Sequence, residues 1–404
     1  MVGVVAIFVA TAGLTTSAMA QSFALVGGGL SFVKGLSADG RTAAGYIPSS
    51  QGFFWTAEAG RDDFGLSISQ NTRAQGISGN GLTVVGGGPS SDGLTAFRWS
   101  AAGGYQNLGT TQNFTSSMAT DANHDGSIVV GTLDRGVGTS SQAFRWTQSG
   151  GMQAIGFTGS RANAISGDGN VVVGDWGTGP TAFTWTRAGD MQFLPSLGGT
   201  GASIARATNF AGNIIVGGSG PTLQPTMWVN GAPIQLASSI PDSRMTPFAV
   251  NDDGSVVVGV VQNDFGQMFG GIWTPSTGTI RLDNYLTANG VTIPAGINLE
   301  FVTSISADGR TFGGYTSNGP LGILGFVATV PTPCPADLDN DGLLSNGGTR
   351  DRAVTIDDLL FLLIAFESGN MAADLDNGSS TGTRDNAVTI DDLLYFLTHF
   401  EAGC

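Results

Sequence analysis

The residues of this 404-residue chain best placed for chemistry are the aspartates of its last 70 positions. Two stretches, 336–369 and 373–403, are copies of one another. The first reads ADLDNDG…TRDRAVTIDDLLFLLIAFESG and the second ADLDNGSSTGTRDNAVTIDDLLYFLTHFEAG. A calcium loop needs hard oxygen ligands at loop positions 1, 3, 5, 7 and 12, with position 12 on the exiting helix. Counting back from Asp358 as position 12 puts Asp351 at 5 and the Ala353 carbonyl at 7, with Asp337 and Asp339 as 1 and 3. Counting back from Asp392 gives Asp385 and Ala387, with Asp374 and Asp376 as 1 and 3. Each loop is longer than twelve residues because of an insertion between 3 and 5, and Asp341 is a spare or competing ligand in the first copy only. Asp at position 12 offers fewer oxygens than a bidentate Glu. Magnesium fits less well, because it resists such many-oxygen protein cages. The expectation is two calcium ions; the bland alternative is a pair of acidic, solvated turns.

Each loop must be held by a helix. Leu359, Leu362, Leu363 and Phe366 recur at helical spacing, as do Leu393, Phe396, Leu397 and Phe400. Thr355 and Thr389 are natural N-caps, and Gly369 and Gly403 natural C-terminal stops. Cys334-Pro335-Ala336 leaves no room for a helix entering the first loop. This duplicated loop-then-helix pattern, ending in Phe400-Glu401-Ala402-Gly403-Cys404, resembles a type I dockerin and more closely the GC-type dockerin domains of surface-anchored bacterial proteins. The resemblance covers 334–404. It implies a half-EF-hand fold and attachment to a cohesin-like partner or to the cell envelope, sometimes in polysaccharide-degrading systems. The loop insertions depart from the ordinary dockerin pattern and put a standard cohesin in doubt.

Cys334 and Cys404 are the only cysteines and bracket this tail. In an oxidising compartment they are expected to pair, and closing so long a loop stabilises by roughly 4 kcal/mol in the chain-entropy picture. The alternative keeps Cys404 for intermolecular attachment. Secretion is also suggested by residues 1–20, an apolar stretch ending Ala18-Met19-Ala20, although no Lys or Arg precedes Lys34.

Upstream lies a different grammar. In 162–186 (ANAISGDGNVVVGDWGTGPTAFTWT) a polar-alternating run, an Asp-Gly turn, a Val-rich run ending in Gly, a loop, and an apolar run ending in Trp-Thr follow in order. Asp-Gly between two such runs signals a hairpin with both turn residues at positive φ. The turn glycines Gly40, Gly81, Gly126, Gly169, Gly212, Gly254 and Gly309 are 41 to 45 residues apart until a 55-residue gap before the last. Trp55, Trp99, Trp146, Trp185, Trp228 and Trp273 repeat in step, and Trp176 does not. A period near ~43 with all-β content predicts one four-stranded propeller blade per repeat. The seventh repeat meets Pro331 without a fourth strand, and residues 23–27 form a lone strand ahead of the first. The expectation is therefore a seven-bladed β-propeller over 21–330 closed by its N-terminal strand, then a Pro-rich linker over 331–335 and the small helical domain over 336–404. An open stack of hairpins, or six blades with a stray hairpin, would also satisfy the spacing. Residues 282–297 are an insertion expected to project from one face.

Through Ala164-Ile165-Ser166-Gly167-Asp168-Gly169, residues 171–174 and Ala143-Phe144-Arg145-Trp146-Thr147, the units resemble the HAF extracellular repeat family. That resemblance implies secretion and a repeated β fold, with no agreed activity.

The repeats themselves offer little chemistry. Their aspartates suit turns and their tryptophans suit a core. Arg98 and Arg145 precede a Trp and so point to the opposite strand face. His124 and His399 have no catalytic partners in pattern, and no nucleophile elbow or nucleotide loop is present. The net charge of −15 is concentrated in the tail and disfavours nucleic acid as a partner. The reading is a secreted binding or scaffold protein, with no catalytic residue assigned, whose repeats bind a carbohydrate or protein ligand. The alternative is a secreted polysaccharide-acting enzyme with converging carboxylates in the propeller funnel.

Overall fold

The computed structural model describes residues 23–27, 29–48, 51–64, 72–90, 93–136, 141–316, 322–331, 338, 356–380 and 382–402. The segments expected to be the signal peptide and the Pro-rich linker, the Cys334–Cys404 pairing, and the ligand positions Asp337, Asp339, Asp351 and Ala353 lie outside these residues, apart from Pro331. The chain divides into two units, Met1–Val330 and Pro331–Cys404.

The first unit is a seven-bladed β-propeller. Six blades are four-stranded antiparallel meanders in chain order, and the seventh has its strands in the order Phe23–Val26, Gly325–Thr329, Thr311–Thr316, Leu299–Ile305. The N-terminal strand thus fills the vacancy left by the last repeat, pairing Phe23 with Ala328 and Val26 with Gly325. Ring closure by chain ends removes an exposed edge that would otherwise template association.

The first strand of each blade is innermost: Phe32–Leu36, Arg73–Ile77, Ser116–Ala122, Ser160–Ile165, Ser203–Thr208, Ser243–Val250 and Leu299–Ile305. Apolar side chains are buried between successive blades. One cluster joins Val172, Phe183 and Met191 of blade 4 to Val130 and Ala143 of blade 3, and each of the other six interfaces has its counterpart. Trp55, Trp146 and Trp228 are buried as expected, but Trp99, Trp185 and Trp273 are only half-buried. In blades 1 to 4 the phenylalanine two residues earlier is the deeper anchor: Phe53, Phe97, Phe144 and Phe183 are fully buried. The indole is longer and reaches toward the rim.

The Asp-Gly turns differ from the two-residue hairpin expected from sequence. Ser37 pairs with Thr42 across four loop residues, and the Gly40 N–H donates to the Ser37 carbonyl. Gly40 has φ 71°, whereas Asp39 is not left-handed. The aspartate instead serves as an acceptor: Asp39 Oδ1 takes the Ser37 hydroxyl and the Arg41 N–H. A short side chain bonding its own backbone stabilises a type I turn, which leaves the left-handed position to glycine alone. These turns also link the blades. Ala38 N–H donates to Gly79, Asn80 to His124, His124 to Gly167, Asp168 to Phe210, Asp252 to Ala307, and Ala307 to Ala38, all at carbonyl oxygens. The remaining interface uses Phe210 N–H to Asp252 Oδ1.

The insertion after blade 6 does not project freely. Helix α1 (Leu282–Ala288) buries Leu282 and Leu286, and Val291 follows them into the cluster around Ile272, Leu299 and Phe312. Its apolar residues at positions one and five of the helix face back onto the blade edges.

The second unit contains α2 (Ile356–Glu367) and α3 (Ile390–Ala402). Leu362 and Phe396 are fully buried in one small cluster with Leu338, Phe361, Ala365, Ala373 and Leu375. Gly369 at φ 64° stops α2, with Asn370 N–H bonding the Ala365 carbonyl and Gly369 N–H the Phe366 carbonyl, a Schellman closure. No described helix is long and apolar enough to cross a membrane.

Candidate functional site

Position 12 of both tail loops is buried at the start of a helix. Asp358 and Asp392 have no exposed surface, and Asp374 and Asp376 almost none. Thr389 and Asp392 form a reciprocal cap: Asp391 N–H donates to Thr389 Oγ1 at 3.3 Å, and Thr389 N–H donates to Asp392 Oδ2 at 2.7 Å. Asp392 Oδ1 meanwhile accepts Leu375 N–H at 2.6 Å and Asp376 N–H at 2.8 Å. The equivalent bond recurs in the first copy, where Leu338 N–H reaches Asp358 Oδ1 at 2.6 Å. Both helices are therefore fastened to the start of their own loop by the same carboxylate.

The rest of the second loop is organised the same way. Asp374 accepts the N–H groups of Asp385 (3.2 Å) and Asn386 (2.9 Å). Asp376 accepts those of Ser380 (2.7 Å) and Gly382 (2.8 Å), and Asp385 accepts that of Ala387 (2.9 Å). The five positions expected to be ligands in this copy are thus joined through one loop. Their carboxylate oxygens are turned largely toward backbone donors, and among the described residues no group of three or more His, Cys, Asp or Glu side chains stands ready to hold a metal ion. The donor set nonetheless suits a hard cation. An ionised carboxylate offers about four lone-pair sites, and the two or three N–H groups at Asp374 and Asp392 leave capacity over. Among the described residues neither of these buried carboxylates is in an ion pair.

In the propeller, sequence reasoning missed a sevenfold feature. Every innermost strand breaks register at one shared position, at Lys34, Gln75, Thr120, Asn163, Arg206, Phe248 and Thr303, and the strand of blade 7 breaks a second time at Glu300. Bulges re-aim side chains. Thr120 Oγ1 donates to the Ala162 carbonyl of the next blade, Asn163 Nδ2 to that of Ala205, and Thr303 Oγ1 to that of Val33. Arg206 lies over the ring of Phe248, 5.6 Å from its centroid. Burial lowers the pKa of both Lys34 and Arg206. The seven residues at the shared position carry no carboxylate, and Glu300, at the second break of blade 7, does.

The signal for these bulges was the glycine closing each Val-rich run. A Cβ on Gly45, Gly86, Gly131, Gly174, Gly217, Gly259 or Gly314 would overlap the carbonyl oxygen of the residue two before the bulge, for Gly174 that of Arg161. The bulged strand presses its backbone against the second strand there, and only a residue without a side chain fits.

Trp176, the tryptophan outside the repeat register, ends a second strand on the rim opposite the Asp-Gly turns. It is 37% exposed and meets the exposed rings of Phe193 (5.6 Å between centroids) and Phe157 (6.4 Å).

No protein-family model matches the chain, and no curated protein matches it. Solved structures that resemble it include a chain of "Crystal Structure of Mitotic Checkpoint Complex" (12% identity, 82% of this chain and 100% of that one, TM-score 0.48). TolB from Acinetobacter baumannii resembles it at 11% identity, over 76% of this chain and 80% of that one, with a TM-score of 0.42. A putative TolB from Agrobacterium tumefaciens does so at 15% identity, over 70% and 99%, with a TM-score of 0.43.

Proposed function

We propose that the chain is a secreted, non-catalytic binding protein. Its propeller takes a ligand, and its dockerin-like tail, loaded with two calcium ions, attaches it to a cohesin-like partner or to the cell surface. The observation that carries this reading is the burial of Asp374 and Asp392 without a cationic partner among the described residues. Buried carboxylates are costly unless a counter-charge accompanies them. A calcium ion would supply that charge, and binding energy would then be part of the folding energy of a unit with a small core. Asp374, Asp376, Asp385, the Ala387 carbonyl and Asp392 would hold one ion; Asp337, Asp339, Asp351, the Ala353 carbonyl and Asp358 would hold the other. Two copies that fasten helix to loop through the same position support a shared solution.

For the propeller, the bulge position shared by all seven blades holds no carboxylate and the additional break of blade 7 holds one, Glu300, which favours binding over acid–base hydrolysis, since that needs a carboxyl pair. The exposed trio Phe157, Trp176 and Phe193 offers a contact surface.

The test is calorimetric titration of the full chain with calcium. Two ions per chain are expected for the parent and one for Asp392→Ala. Absence of heat, or a stoichiometry untouched by the substitution, would remove the ligand assignment.

A further inference from the structure

Between blades 3 and 4, on the rim of the Asp-Gly turns, lies a cavity of about 440 Å³ lined by Arg145, Trp185, Arg187, Asp168 and Asn170 among others. That volume is within the range of small-molecule sites. Arg145 stands one residue before the blade-3 tryptophan, and Arg187 two residues after the blade-4 tryptophan. No other blade interface combines these two positions as arginines. At the preceding interface the equivalent of Arg145, Arg98, stacks on Trp146 at 5.5 Å, and the equivalent of Arg187 is Gln148, bonded to Gln106.

The two guanidiniums are left without a neutralising partner. Neither is in a hydrogen bond or an ion pair among the described residues. Burial and then the charge of Arg187 lower the Arg145 pKa, so the two cations feel each other. Trp185 is fixed by its own N–H, which donates to Asp190 Oδ1 at 2.8 Å. Asp168 stands at the cavity wall as an anion. Burial pushes its pKa up, but the Ser166 hydroxyl and the Asn170 donors outweigh this and leave it below the usual value.

We propose that this cavity binds the carboxylate of an acidic sugar, a uronate, with the sugar ring against Trp185. Paired guanidiniums match a carboxylate by parallel N–H···O bonds. An indole offers an apolar face to a pyranose. Asp168 and Asn170 accept sugar hydroxyls, and the Asp168 charge repels a dianion such as phosphate. The proposal rests on the propeller being the ligand-binding unit; its failure would leave the tail's calcium stoichiometry untouched.

The full chain is titrated calorimetrically with sodium glucuronate, and in parallel with glucose and inorganic phosphate. Saturable glucuronate binding is expected, with glucose and phosphate at least tenfold weaker. Arg187→Ala and Arg145→Gln should each weaken it by about tenfold or more, with the far-ultraviolet β spectrum unchanged, and Arg187→Lys should retain part of the affinity. Asp168→Asn should narrow the gap between glucuronate and phosphate. No glucuronate binding, equal binding of glucose, tighter binding of phosphate, or arginine variants that bind like the parent would each overturn the assignment.

Discussion

The propeller and the tail solve the same problem by opposite means. In the propeller, polar residues buried between blades are mostly Ser, Thr and Asn, and many bond backbone of their own or an adjacent blade: Ser117, Ser160 and Ser203 accept the N–H groups of Ala96, Ala143 and Ala182 of the preceding blade. Its order comes from repetition, with one apolar cluster and one turn-to-turn hydrogen bond per interface, closed into a ring. In the tail, four fully or almost fully buried residues are aspartates, and the apolar cluster is a single one. A neutral hydroxyl can be buried on one hydrogen bond, whereas a carboxylate needs several donors or a cation. The propeller thus meets most of its polar needs with neutral groups and backbone, while the tail is arranged around charge.

The largest effect that would break this contrast is loss of closure. Deleting Phe23–Val26 exposes the Gly325–Thr329 edge and removes Phe23 and Val26 from the core. Burial of each is worth about 1.5–3 kcal/mol. Thermal unfolding should begin well below that of the parent, with self-association in gel filtration. A variant that is monomeric and equally stable would show that the ring does not depend on its closing strand.

Calcium removal comes next and should act on the other unit alone. Chelation is expected to erase the helical ellipticity while the β signal persists. At 100 times its dissociation constant, an ion contributes about 2.7 kcal/mol per site. Asp392→Ala also orphans three N–H groups, so lower stability by itself does not discriminate; insensitivity of the parent's helices to chelator would end the contrast.

A third, smaller effect sharpens the propeller side. Gly174→Ala forces a methyl against the Arg161 carbonyl and should cost about 1–3 kcal/mol by urea denaturation. Gly60→Ala, where the surroundings are open but φ is 74°, separates backbone strain from crowding. Equal losses at the two sites would argue against the close-approach explanation.

The smallest effect is on pH dependence. Asp121 accepts the N–H of Ile165 in the next blade (3.0 Å) and of Ala122 (2.8 Å). Its carboxyl group is enclosed although part of the residue reaches the surface, and burial pushes its pKa up to about 7, against the lowering by those two bonds. The folded state therefore holds this proton more tightly than the unfolded chain. Its contribution is fully present below the unfolded value near 4 and is lost as pH rises through about 7. Asp121→Asn should flatten the fall in propeller stability across that window, by at most about 1.4 kcal/mol per pH unit. Asp125, Asp168 and Asp253 act in the opposite sense: their donors lower their pKa values, so their contribution is lost as pH falls through the folded value. An unchanged slope in Asp121→Asn would locate the pH dependence elsewhere.

Features set by residues close in the chain are legible in the sequence. The seven repeats, the missing fourth strand of the last and the N-terminal strand able to fill it are readable from spacing and alternation, because strand period and turn chemistry act within a few residues; that they close into one ring of seven is settled by the pairing of Phe23–Val26 with Gly325–Thr329. The two tail helices follow from apolar residues at helical spacing with a threonine before and a glycine after. Contacts between residues distant in the chain are settled only by the fold. The bulges at Lys34 through Thr303 are invisible in the strand pattern, since one extra residue leaves the alternation nearly intact, and only their partner glycines mark them. The Asp-Gly turns became four-residue loops because aspartate found more stabilisation as an acceptor than in a left-handed backbone. Trp176 stands in the sequence as an irregularity, and its exposure beside Phe157 and Phe193 required two strand ends and the loop carrying Phe157 to meet. The pairing of Arg145 with Arg187 likewise depends on two blades packing side by side, 42 residues apart in the chain, and no local rule of sequence brings such residues to one cavity.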